Sequence, residues 1–145
     1  MQKRIFPLFF LLLILLFATQ CSKSPSPRVV VMDFIEAVNK ADTASLETYL
    51  DLDRFTQEKL RELPDSVSAE VFSKVKEQLW QNFLGSGGTR LKWQNKMIVV
   101  NKEEVEGDSA LVEVTFVDQK TGITEYTKTR LYKKEDRWWI YYIKD

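Results

Sequence analysis

Between residues 27 and 84 the apolar positions recur at three- and four-residue intervals, and from Thr89 onward they alternate with polar ones. That change of period predicts helices first and strands afterwards. Pro27 suits a first helical turn ahead of Val30, Val31, Phe34, Ile35, Val38 and Ala41. Asp42 reads as the N-cap of a short second helix carrying Ala44, Leu46, Tyr49 and Leu50. A third helix is expected from about Arg54 to Leu63, stopped by Pro64. With Asp65 or Ser66 as cap, Val67, Val71, Phe72, Val75, Leu79, Trp80, Phe83 and Leu84 predict a longer amphipathic helix, which Gly85-Ser86-Gly87-Gly88 ends.

The alternating half predicts four strands. They run over about Arg90 to Val105, Ala110 to Asp118, Ile123 to Lys133 and Arg137 to Lys144. The connections Glu106-Gly107-Asp108, Lys120-Thr121-Gly122 and Lys134-Glu135-Asp136 are short, which favours antiparallel neighbours in a meander. The fold class is therefore α+β, with N-terminal helices packed on a curved four-stranded antiparallel sheet. Ala110, Val112, Val114 and Phe116 share the face that the helices would cover. The fourth strand is apolar or aromatic on both faces: alternation sends Trp138, Ile140 and Tyr142 one way and Trp139, Tyr141 and Ile143 the other. One set would pack on the helices, leaving the other to a pocket, a partner or a strongly curved sheet.

Ahead of this domain, residues 1–20 hold Lys3, Arg4 and an apolar run from Ile5 to Ala18 without an acidic residue. The run is shorter than the about 20 apolar residues of a membrane-spanning helix and is interrupted by Pro7, so it reads as a signal peptide. The only cysteine stands directly behind it, at position 21. Phe17-Ala18-Thr19-Gln20-Cys21 resembles a bacterial lipoprotein lipobox, with Gln20 where Gly, Ala or Ser is usual. The resemblance implies cleavage before Cys21, diacylation of its sulfur and anchorage in membrane lipid. Several acyl chains satisfy the condition for stable attachment. A secreted protein with an incidental thiol and an uncleaved short anchor are the alternatives. Ser22-Lys23-Ser24-Pro25-Ser26-Pro27 then reads as a stiff linker reaching roughly 20 Å, which keeps the domain near the lipid surface. The chain thus divides into a lipoprotein signal peptide (1–20), a lipidated cysteine with its linker (21–27) and one domain (28–145). No aspartate follows the cysteine, which by resemblance to enteric lipoproteins favours the outer membrane.

Composition narrows the chemistry. Histidine is absent, which excludes Ser-His-Asp and Cys-His catalysis and His-ligated metals. One cysteine excludes an internal disulfide, a four-cysteine zinc site and a CxxC pair. The 21 basic and 21 acidic residues balance, against the basic excess of a nucleic-acid binder. Loss of residues 1–20 removes two positive charges and leaves the rest slightly acidic. Ser73-Lys74-Val75-Lys76 matches SxxK without its companion motifs. Gly85-Ser86-Gly87-Gly88 lacks the Gly-Lys-Ser/Thr of a P-loop. Asp51-Leu52-Asp53 opens like a calcium loop but meets Phe55 where a ligand belongs. Glu103, Glu104, Glu106 and Asp108 crowd one hairpin and read as a solvated turn. No metal site or cofactor is expected.

The stretches VVVMDFIEAVNKADTASLETYL, VEGDSALVEVTF and KKEDRWWIYYI together resemble the nuclear transport factor 2-like superfamily, and within it bacterial lipoproteins with lumazine-binding-like or cystatin-like domains. The resemblance spans roughly Pro27 to Ile143. It implies an α+β roll whose curved sheet wraps helices around a cone-shaped cavity, with the other sheet face often a dimer interface. The expected role is a non-catalytic module, taking a small apolar ligand in a cavity lined by groups such as Phe34, Trp93 and Trp138, or an envelope protein or second copy on the sheet. The alternative is a small isomerase or lyase of ketosteroid-isomerase type. It needs an acidic base beside a tyrosine donor, for which Asp33, Tyr49, Asp118, Tyr126 and Tyr132 are available residue types.

Overall fold

Ser26 opens the first helix by accepting a hydrogen bond from the Val29 amide on its side chain, and Pro27 occupies the first turn without losing a bond. The computed structural model describes residues 24–62 and 67–144; the signal segment, Cys21 and the expected stop and caps at Pro64, Asp65 and Ser66 lie outside them. Helix α1, Pro27–Lys40, ends at Ala41 in the left-handed conformation, φ 54°. It buries the predicted stripe Val30, Val31, Phe34, Ile35 and Val38.

Asp42 caps α2, Thr43–Tyr49, as expected. It accepts the Ser45 hydroxyl at 2.6 Å and the Ser45 amide at 3.2 Å, and these bonds hold its carboxyl below the usual range. Helix α3, Leu52–Leu60, begins before the expected Arg54 because Asp51 supplies the cap, accepting the Arg54 amide at 3.0 Å. Ser68, not Asp65 or Ser66, caps α4, Ala69–Asn82.

The expected first strand is corrected at its start. Gly88–Trp93 forms a short helix, α5, and the strand β1 is Met97–Glu106. Arg90 gives the physical reason: its guanidinium donates to the carbonyls of Val38 (3.1 Å), Asn39 (3.1 Å) and Gly85 (2.6 Å). Two of these belong to the last turn of α1, where carbonyls lack helical partners and a cation is favoured. An extended Arg90 would leave that helix end open.

Strands β2 (Ser109–Val117), β3 (Thr124–Lys134) and β4 (Arg137–Lys144) complete an antiparallel sheet in the order β1-β2-β3-β4, the expected meander. Ala110, Val112, Val114 and Phe116 face the helices and are buried. Strand β4 departs from simple alternation. Its pairing slips between Leu131↔Ile140 and Arg130↔Tyr142, so Tyr141 is the extra residue of a bulge. Trp138, Ile140 and Ile143 therefore share the buried face, while Trp139, Tyr141 and Tyr142 are half-buried outside it. The free edge of β4 is covered by a parallel bridge from Leu50 to Ile140, with the Asp51 amide on the Ile140 carbonyl at 2.9 Å.

The core is aromatic at its centre. Trp93 stacks on Phe116 at 4.9 Å, and Phe34 meets Phe83 edge-on at 5.4 Å and Trp93 at 6.3 Å. Phe55 closes on Phe83 at 5.9 Å. Burying each such ring contributes about 1.5–3 kcal/mol, with up to about 1.5 more from the pairings. Helix α4 lies at the edge of this core: Leu79 and Trp80 pack against it, and the helix rests on α3 and α5.

Candidate functional site

Helix α4 is amphipathic, yet none of its fourteen residues is buried. Phe72, Val75, Leu79 and Trp80 are only half-covered, and Val71 is 43% exposed. An apolar ridge of that kind is stable only over another apolar surface, which here is incomplete. Between α4 and the α2–α3 junction lies an open groove of about 390 Å³, lined by Glu47, Leu50, Leu52, Ser73, Lys76, Glu77 and Trp80. Lys76 crosses its rim to Asp53 at 2.6 Å and joins α4 to α3.

Sequence reading did not single out this groove. Trp80 was visible as part of an amphipathic helix, but the approach of α4 to Leu50 and Leu52 is set by packing across distant segments. The Ser73 hydroxyl donates to the Ala69 carbonyl within its own helix at 3.1 Å. Asp51 and Asp53, which open like a calcium loop, are a helix cap and the partner of Lys76. Among the described residues no cluster of three or more acidic or cysteine side chains could hold a metal, and Glu103, Glu104, Glu106 and Asp108 are all exposed.

Phe34, Trp93 and Trp138, expected along a cavity wall, are all packed into the core, Phe34 and Trp93 in ring contact. The groove under α4 is lined by other residues.

Two carboxylate–tyrosine pairs have the residue types of an acid–base site. The Tyr49 hydroxyl lies 3.5 Å from Asp33, in a polar recess with Glu36, Lys40, Asp42 and Ser45. Burial and the Asp33 charge raise the Tyr49 pKa. Such a recess has little apolar wall for an apolar substrate. The Tyr132 hydroxyl donates to Asp51 at 2.5 Å, and the Arg54 guanidinium lies over the Tyr132 and Tyr141 rings at 4.4 and 4.0 Å. The other oxygen of Asp51 caps α3, so both its oxygens are engaged in holding α3 to the sheet. The remaining candidates are turn and surface groups: Asp118 accepts the Lys120 and Thr121 amides, which lower its pKa, and Tyr126 hydrogen-bonds Glu113 on the outer sheet face.

Burial, with the Asp51 bond, pushes the Tyr132 pKa up to about 12. The raised value means that the protonated tyrosine is favoured by folding. Its contribution is complete below the unfolded value near 10 and is lost as pH rises through about 12. Because Tyr132 is only half-buried, solvent screening leaves on the order of 1 kcal/mol. Denaturant melts between pH 9 and 12 should show this loss in the parent chain and its absence in Tyr132→Phe; parallel pH profiles would refute the assignment.

No family model matches the sequence, and no curated protein matches it. Solved structures are similar in shape. A Campylobacter jejuni protein provisionally described as an NTF2-like transpeptidase superposes with a TM-score of 0.55 at 19% identity, covering 83% of this chain and all of that one. A Ralstonia solanacearum phospholipid-binding protein, solved with a phospholipid, superposes with a TM-score of 0.52 at 14% identity, covering 80% of this chain and 73% of that one. Helices leading into a four-stranded antiparallel meander, together with these superpositions, give the chain the nuclear transport factor 2-like α+β fold.

Proposed function

We propose that the chain is a lipid-anchored envelope protein whose roll is a non-catalytic binding module, taking the apolar chain of an amphiphile into the groove beneath α4. The observation that carries this reading is the open groove between α4 and the α2–α3 junction, which half-buried Trp80 lines together with Leu50 and Leu52. Filling the groove would cover Trp80, the apolar residue that α4 contributes to its lining. The Ralstonia neighbour, described as phospholipid-binding, supports a lipid-like ligand. Attachment through acylated Cys21, with a linker of roughly 20 Å, would keep the groove close to the membrane from which such a ligand comes.

The Campylobacter neighbour's description raises acyl transfer. That chemistry needs an activated nucleophile. Ser73 donates within its own helix and the Lys76 ammonium is held by Asp53, which leaves the SxxK stretch without a free base.

Native mass spectrometry of the full chain extracted from its own membranes tests both parts. The expected spectrum shows a chain beginning at Cys21 with added acyl mass and a copurifying amphiphile that Trp80→Glu removes. An unmodified cysteine would overturn the anchor, and a bare protein, or a ligand retained by Trp80→Glu, would overturn the groove.

A further inference from the structure

We infer that the head group accepted by the groove beneath α4 is cationic, so that the ligand is a single-chain amphiphile bearing an ammonium. This inference rests on reading the groove as an amphiphile site and adds the charge of what it holds. The volume of about 390 Å³ lies near the lower end of small-molecule sites, about 300–1,000 Å³, which suits one apolar chain better than two.

The charges around the groove decide the head. Among the described residues Lys76 is its only cationic lining residue, and its ammonium is answered by Asp53 at 2.6 Å. Two carboxylates are not answered. Glu47, on the α2 wall, has no cationic partner among the described residues. Glu77, on the α4 wall, accepts from the neutral Gln81 amide at 2.7 Å, which leaves its charge in place. Opposite walls thus each present an anion, and Trp80 adds an indole in the same lining. An ammonium gains from both carboxylates and from the aromatic face. An anionic head would meet two like charges and would have to share Lys76 with Asp53, whose carboxylate already offsets its charge. Both glutamates are exposed, so they bring no desolvation cost, and salt screens their pull.

The test is calorimetric titration of the full chain, held in a non-ionic amphipol, with decyltrimethylammonium, decanoate and decyl maltoside below their micelle concentrations. The apolar chain is constant and only the head changes. The ammonium should bind one-to-one and about tenfold tighter than decanoate in moderate salt, with a larger ratio in low salt. Glu47→Gln with Glu77→Gln should reduce that ratio to about twofold or less while decyl maltoside binding stays unchanged. Equal affinities, or preference for decanoate, with all binding abolished by Trp80→Glu, would overturn the cationic head and leave the groove reading standing. No binding of any probe, or binding indifferent to Trp80→Glu, would overturn both.

Discussion

Trp93→Ala should lower the free energy of unfolding by about 3–5 kcal/mol, the range for emptying a large aromatic site, whereas Trp93→Phe should cost about 1 kcal/mol. The indole is 1% exposed, stacks on Phe116 at 4.9 Å and touches both Phe34 and Phe83. Alanine would remove the ring at which α1, the end of α4 and β2 converge, and rigid strands cannot collapse into the space. Phenylalanine is smaller, but it also removes a liability. Among the described residues the buried Trp93 Nε1 donor has no hydrogen-bond partner, and an unpaired buried donor costs about 1–3 kcal/mol. The lost packing and the relieved donor act in opposite directions, so the phenylalanine variant should stay near the parent. Urea unfolding of the three proteins checks this. Equal losses for Ala and Phe would mean that the indole N–H is satisfied in solution and that the ring is not the organising group.

How much of this was legible in the sequence depends on how local each determinant is. The stripe Val30, Val31, Phe34, Ile35 and Val38 fixed α1, and the alternation Ala110, Val112, Val114 and Phe116 fixed the inner face of β2, because one buried face repeats through each element. Asp42 was legible as a cap for the same reason: its bonds reach only to Ser45. Arg90 was not. Six residues opened by Gly87 without a side-chain cap carry too little periodicity to announce a helix, and what holds α5 is a set of bonds to carbonyls about fifty residues earlier. The bulge at Tyr141 is likewise invisible in WWIYYI, where either phase of an alternating strand is apolar; pairing with Arg130 and Leu131 selects the phase. Strict alternation therefore groups Tyr142 with Trp138 and Ile140, and Ile143 with Trp139 and Tyr141; the structure exchanges Tyr142 and Ile143 between the two sets. The groove combines residues from α2, α3 and α4, so its parts could be read but their meeting could not.

Gly87 joins the two least local of these features, the end of α4 and the start of α5, and Gly87→Ala should destabilise the chain by about 2–3 kcal/mol. Its backbone is ordinary, φ −61° and ψ 146°, so conformation alone would accept alanine. Space would not: a Cβ at Gly87 falls 2.2 Å from the Gln81 carbonyl oxygen and 2.4 Å from that of Asn82. Both are backbone atoms in the last turn of α4, which cannot rotate aside as a flexible side chain can. Relief requires moving that helix end away from α5, and the Gly87 amide would then lose the Leu84 carbonyl that it holds at 2.7 Å. Gly88 is the matched control, because a Cβ there meets nothing nearer than the Asn82 side chain at 3.8 Å. Gly88→Ala should be neutral or stabilise by up to about 1 kcal/mol through helix propensity. Thermal melts separate the two, and hydrogen exchange locates the damage: amides of α4 should exchange faster in Gly87→Ala while those of β2 keep their protection relative to global stability. Since Trp80 and Glu77 ride on the displaced helix, the same variant should weaken amphiphile binding without any change to a groove side chain. Equal stability of the two alanine variants would mean that the helix end yields freely, and α4 would then be a loosely held flap instead of a fixed wall of the groove.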